Sequence, residues 1–89
     1  MSQANTITIL YFAAACSATG MSQEEIPIPN DMEFKLSDLP QLLISSHPNL
    51  GEILKTSRWS VNLEMVDDPD LVILKGGEEV GVICPVSGG

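Results

Sequence analysis

The sequence predicts an α+β roll, a mixed β-sheet with one main helix packed across it. Three observations lead there. Residues 5–13 form a β-branched and aromatic run, residues 36–47 carry one amphipathic helix signal, and further strand signals lie on both sides of that helix. The resulting order is strand, strand, helix, strand, short strand, strand, which suits a helix laid on a mixed sheet.

Each element has a local reason. In NTITILYFA, residues 5–13, Ile7, Ile9 and Tyr11 fall on one face, and Thr6, Thr8, Leu10 and Phe12 on the other. The mixed second face predicts a central strand covered fully on one side and partly on the other. AAACSATG permits a short helical turn, with Gly20 as a stop where positive φ is needed. In EEIPIP, residues 24–29, Ile26 and Ile28 alternate with prolines. Proline donates nothing to a ladder, so this is an edge strand, and PNDMEF is the turn that leaves it.

LSDLPQLLISSH, residues 36–47, predicts the main helix. Ser37 or Asp38 is placed to cap it, and Asp38 with Gln41 resembles a capping box. Pro40 falls in the first turn, where a missing N–H has no helical partner to lose. Leu39, Leu42 and Leu43 make the face laid on the sheet. HPN ends the helix, because the residue before Pro48 is pushed out of the α region. LGEILK adds one further turn. RWSVNLEMV, residues 58–66, reads as a single half-buried strand in which Trp59, Val61, Leu63 and Met65 alternate with polar neighbours. DDPD is a turn, and LVILKGGEEVGVIC supplies a short strand, a turn at 75–78 and a last strand at 80–84. The first and last strands are the most apolar, so they are expected side by side in the middle of the sheet, with the chain end leaving from there.

Eighty-nine residues make one domain, and 44% hydrophobic residues argue for a folded chain. Four Lys and Arg against twelve Asp and Glu leave a net charge of −8. Such a surface repels phosphate backbones and anionic lipid, which argues against nucleic acid and membrane as partners. Cys16 and Cys84 are too few for a disulfide scaffold and lie in no CxxC motif, so both are expected as buried thiols in a reducing compartment. ILYFAAAC imitates the core of a signal peptide, yet no Lys or Arg precedes Lys35 and eight apolar residues are too few for a bilayer. A cytosolic location is expected.

Conventional chemistry is missing from the side chains. His47, alone at a helix end, reads as a capping or surface histidine rather than a base. Asp67, Asp68 and Asp70 lack the glycine and distal glutamate of a calcium loop and read as a solvated turn. Gly76 and Gly77 serve turn geometry. There is no P-loop, no GxSxG and no metal-ligand cluster.

The terminus CPVSGG is different. Glycine has no Cβ, so Gly88 and Gly89 can thread a channel too narrow for any other residue. Pro85 stiffens the root, Val86 offers a side chain to grip, and Ser87 follows. A flexible tail with no selected role is the plain alternative. The functional reading is a terminal carboxylate presented for chemistry in another protein's pocket.

LKGGEEVGVICPVSGG, together with LYFAAA, Gly20, LPQLLISSHPNLGEIL and the pair Val61-Asn62, resembles the small, sulfur-carrying subunit family of molybdopterin synthase (MoaD-type) over nearly the whole chain. The resemblance implies a β-grasp, ubiquitin-like roll over residues 1–84 and an extended Gly-Gly tail over 85–89. It implies that the chain is no enzyme alone and binds no cofactor itself. An activating enzyme similar to the one that starts ubiquitin conjugation would consume ATP to adenylate Gly89, and a persulfide sulfur would then make it a thiocarboxylate. Pro85, Val86, Ser87 and Gly88 would enter the large, catalytic subunit, in a heterotetramer of two small and two large chains. There sulfur would pass to cyclic pyranopterin monophosphate to form molybdopterin. Cys84 departs from the family's pattern, which has a second proline there; a neutral replacement is the plainer reading, and a catalytic thiol the bolder one. A carrier for thiazole or tRNA thiolation, a protein modifier and a simple interaction module stand as other readings of such a terminus.

Overall fold

The computed structural model describes residues 5–29 and 32–84. Seven strands and three α-helices follow in order: β1 (Asn5–Tyr11), α1 (Ala14–Thr19), β2 (Gln23–Ile28), β3 (Phe34–Lys35), α2 (Leu39–Ser46), α3 (Leu50–Thr56), β4 (Arg58–Val61), β5 (Glu64–Val66), β6 (Ile73–Leu74) and β7 (Glu79–Ile83). The main sheet runs β2-β1-β7-β4-β5, and β3 pairs with β6 in a separate ribbon. β1 and β7 are parallel neighbours and every other pair in the main sheet is antiparallel. The expected central pair is therefore present, and β2, with Pro27 opposite Thr6, is the expected edge strand.

One face of the sheet makes the core. Ile7, Ile9 and Tyr11 of β1 meet Val80 and Val82 of β7, Trp59 of β4, and Ile26 and Ile28 of β2, all buried. Across them lie Ala15 of α1, Leu39 and Leu43 of α2, and Leu50 and Leu54 of α3, also buried. Sealing a leucine completely, as at Leu39 and Leu43, is worth about 1.5–3 kcal/mol each, so α2 is held by this face rather than by its ends. Gly20 ends α1 in the left-handed conformation at φ 76°, as its position predicts.

The helices correct the sequence reading in three places. Residues 36–38 form a 3-10 turn, and the α-helix begins only at Leu39. Asp38 occupies the cap position with helical dihedrals and makes no side-chain capping bond, so neither Ser37 nor an Asp38–Gln41 box supports this end. The 3-10 turn feeds directly into α2, so no break exists in which a cap would sit. LGEILK is a separate helix of seven residues, Leu50–Thr56, not a trailing turn. His47, at φ −134° and ψ 82°, does end α2 before Pro48 as expected.

The expected strand over 58–66 is two strands. Asn62 and Leu63 both take positive φ, 51° and 72°, and reverse the chain so that Trp59 opposes Val66 and Ser60 opposes Met65. Asn62 is held there by β7: its N–H donates to the Glu79 carbonyl and its Oδ1 accepts from the Glu79 N–H. Leu63 and Met65, expected on the buried face, are exposed instead, and Val66 takes the core side opposite Trp59.

Candidate functional site

The five residues singled out for function, Pro85, Val86, Ser87, Gly88 and Gly89, lie outside the described residues. What is described is their root. β7 is flanked by β1 and β4, and β1 runs parallel to it, so both strands finish at the same end of the sheet. Cys84 emerges there beside Phe12. Its thiol donates to the Phe12 carbonyl at 3.4 Å. Ser57 Oγ lies 4.0 Å from Cys84 Sγ, but its proton goes to the Ile53 carbonyl at 2.6 Å, so the sulfur contact is one of packing. Cys84 and Cys16 are both free and half-buried, less enclosed than the sequence suggested. The Cys84 thiol thus ties the end of β7 to the residue that follows β1.

The sheet face away from the helices opens next to this root. A side chain at Gly81 would point onto that face, where a Cβ would meet Ser60 Oγ at 2.5 Å, Phe12 Cε2 at 3.4 Å and Ile83 Cδ1 at 3.5 Å. The missing side chain at Gly81 lets the Phe12 ring lie over the central strand. Met65 stands on the same face through its pairing with Ser60, and Arg58 through its pairing with Ile83. Phe12 is 47% exposed and Met65 54%, with Leu10 and Ile83 half-buried between polar neighbours. An apolar platform with one cation thus borders the tail's exit. Sequence alone pointed to a mixed second face on β1, but not to its union with Met65.

On the helix side of the same end, Glu24 Oε1 accepts from Tyr11 Oη and from His47 Nε2, each at 2.8 Å. A carboxylate only accepts, so Nε2 carries a proton. The Tyr11 and His47 rings meet edge to face with centroids 6.0 Å apart. Burial first, then the bond to Glu24 and its negative charge, raise the Tyr11 phenol above its ordinary value. His47 is therefore a helix-end residue, as expected, with a further task of tying α2 to β1 and β2. Asp68 accepts from the Asp70 N–H at 3.1 Å and caps a 3-10 turn over Pro69–Leu71, which agrees with a solvated turn. Among the described residues no group of three or more His, Cys, Asp or Glu could hold a metal ion. No helix among them is long and apolar enough to cross a membrane.

A five-stranded mixed sheet with helices across one face and the last described strand at its centre defines a β-grasp, ubiquitin-like fold. Residues 9–89 match the ThiS family, and the chain belongs to it. It is 38% identical over 88 residues to a molybdopterin synthase sulfur carrier subunit from Mycosarcoma maydis, with 94% of each chain covered. A solved structure described as putative molybdopterin converting factor, subunit 1, from Pyrococcus furiosus superposes with a TM-score of 0.77 at 26% identity, over 92% of this chain and 99% of that one. One chain of a solved structure described as the protein-protein complex of subunits 1 and 2 of molybdopterin-converting factor from Helicobacter pylori 26695 shares the fold, with a TM-score of 0.66 at 20% identity over 94% of this chain and 99% of that chain.

Proposed function

We propose that this chain is the sulfur carrier subunit of a molybdopterin synthase, acting through the carboxylate of Gly89. The observation that carries the reading is the PVSGG sequence issuing from a central strand beside an exposed apolar platform, in a member of the ThiS family. A carboxylate resists nucleophiles, so an activating enzyme joins Gly89 to AMP with release of pyrophosphate from ATP. The outer sulfur of a protein persulfide then displaces AMP to give an acyl disulfide, and a second thiol attacks the persulfide's inner sulfur, leaving a protein disulfide and the thiocarboxylate. The thiocarboxylate travels on a slim arm into the large subunit, which supplies the catalytic groups for sulfur transfer to cyclic pyranopterin monophosphate.

The described residues contribute placement. Phe12, Met65 and Ile83 give a partner an apolar footing next to the root, and aromatic anchors of this kind carry much of the free energy of docking. With the platform docked, residues 85–89 enter the pocket by geometry and need no search. The assembly of two small and two large chains, the cytosolic setting and the activating enzyme belong to the same proposal.

Mass spectrometry of the protein recovered from cells tests it. The expected species ends at Gly89 with one oxygen replaced by sulfur. Covalent adducts to lysines of other proteins would instead identify a modifier. Failure of the thiocarboxylated chain to restore precursor conversion by a large synthase subunit would reject the molybdopterin assignment.

A further inference from the structure

Edge strand β5 carries a second surface, a groove that begins at the β4–β5 turn, follows the strand to Val66 and Asp67, and shares Met65 with the platform. Pairing of Val61 with Val80 puts the β4–β5 turn at the start of β7, opposite the end from which Cys84 emerges. Between edge strand β5 and the Pro69–Leu71 turn runs a groove of about 440 Å³. Val61, Val66 and Val72 form its half-buried floor, and Leu71, 80% exposed, is one wall. Beside it Leu63 is 85% exposed and held at φ 72°. Asp67 and Asp68 stand on the rim, with Glu64; no Lys or Arg lines the groove itself, and Arg58 shares the adjoining pocket with Asp67. Neither ion pair found among the described residues uses these carboxylates.

We propose that this groove docks a segment of a partner protein that presents a bulky apolar side chain between lysines or arginines. The floor takes the apolar group and the rim takes the cations, so the acidic surface acts here as a recognition element. Two leucines standing proud of the surface favour a macromolecule, because a small ligand in the groove would leave both wet. A second copy of the chain is disfavoured: it brings another charge of −8. Met65 borders both the groove and the platform, but Leu71 and Asp68 belong to the groove and not to the platform, so the inference stands whatever the tail carries.

The test uses the full-length, isotope-labelled chain and two synthetic hexapeptides, Lys-Leu-Lys-Lys-Leu-Lys and its counterpart with Glu in place of every Lys. The lysine peptide is expected to shift the amide resonances of residues 61–72. Its affinity should fall at least about fivefold between roughly 50 and 300 mM salt as the rim is screened. Leu71→Ser should weaken it at least about fivefold while leaving Tm within about 4 °C, since the side chain is on the surface. The double change Asp67→Asn, Asp68→Asn should weaken it similarly. The proposal is overturned by any of three results: no shift with the lysine peptide, shifts scattered over the whole acidic surface, or equal binding of the glutamate peptide.

Discussion

Replacing Gly76 with alanine tests how the last turn sets the position of the tail. Gly76 has φ 121°, a region open in practice only to glycine, and forcing an L residue there costs about 1–3 kcal/mol. The new Cβ would lie 2.8 Å from Asn5 Cβ, 3.1 Å from its Cγ and 3.6 Å from its Cα. Carbon atoms prefer about 3.5–4.0 Å, and Asn5 Cβ is fixed to the backbone, so no rotamer change clears the contact. Either β1 or the turn must move, which adds about 1–3 kcal/mol. The sum is about 2–6 kcal/mol, and a domain of this size loses roughly 4–8 °C per kcal/mol. Gly76→Ala should therefore lower Tm by at least about 8 °C.

Gly77→Ala is the control. Its φ is 87° and no atom lies within 4 Å of its Cβ, so only the left-handed strain of about 1–2 kcal/mol applies. The consequence reaches the terminus, because the Gly77 N–H donates to the Thr6 carbonyl at 2.7 Å and the Thr8 N–H to the Glu78 carbonyl at 3.0 Å. These bonds set the register of β7 on β1, and hence where Cys84 emerges. Thermal unfolding followed by circular dichroism measures both variants. Equal losses, or a Gly76→Ala variant within about 4 °C of the parent, would refute the contact reasoning.

Four further outcomes are expected. Tyr11 is raised above its unfolded value of about 10, so the unfolded chain gives up its proton first; the contribution is whole below pH about 10 and lost as pH rises beyond it. Tyr11→Phe should flatten the fall in urea midpoint across that range, at a cost near 1 kcal/mol at pH 8, and an unchanged slope would dismiss the role of the phenol. Phe12→Ser should cost at most about 1 kcal/mol of stability, since the ring is half-exposed, yet weaken binding to a large synthase subunit at least about tenfold by calorimetry; full affinity would remove the platform from the interface. Deleting Gly89 should abolish sulfur transfer with Tm unchanged, and Gly88→Val should block activation or insertion by adding bulk and restricting φ. Normal turnover of Gly88→Val would end the narrow-channel idea.

Much of the molecule could be read without coordinates because the relevant causes are local. Alternation in residues 5–13, prolines at 27 and 29, leucines at helical spacing and glycines at 20, 76 and 77 each restrict the backbone or its buried face within a few residues. From them came the α+β class, the central, adjacent positions of the first and last strands, the edge strand and the end of α2 at His47.

Other features needed the fold, because their causes come from distant parts of the chain. The alternation through Trp59, Val61, Leu63 and Met65 is the same in one strand or two, and only Glu79 on a neighbouring strand, bonding Asn62 twice, makes the turn. The predicted cap at Asp38 is absent because burial of Leu36 and Leu39 holds the helix start without it. His47 gains its partner from Glu24, 23 positions away. Phe12, Gly81, Ile83 and Met65 become one surface only when β1, β7, β4 and β5 lie side by side, since residues far apart in sequence share a face through strand register alone.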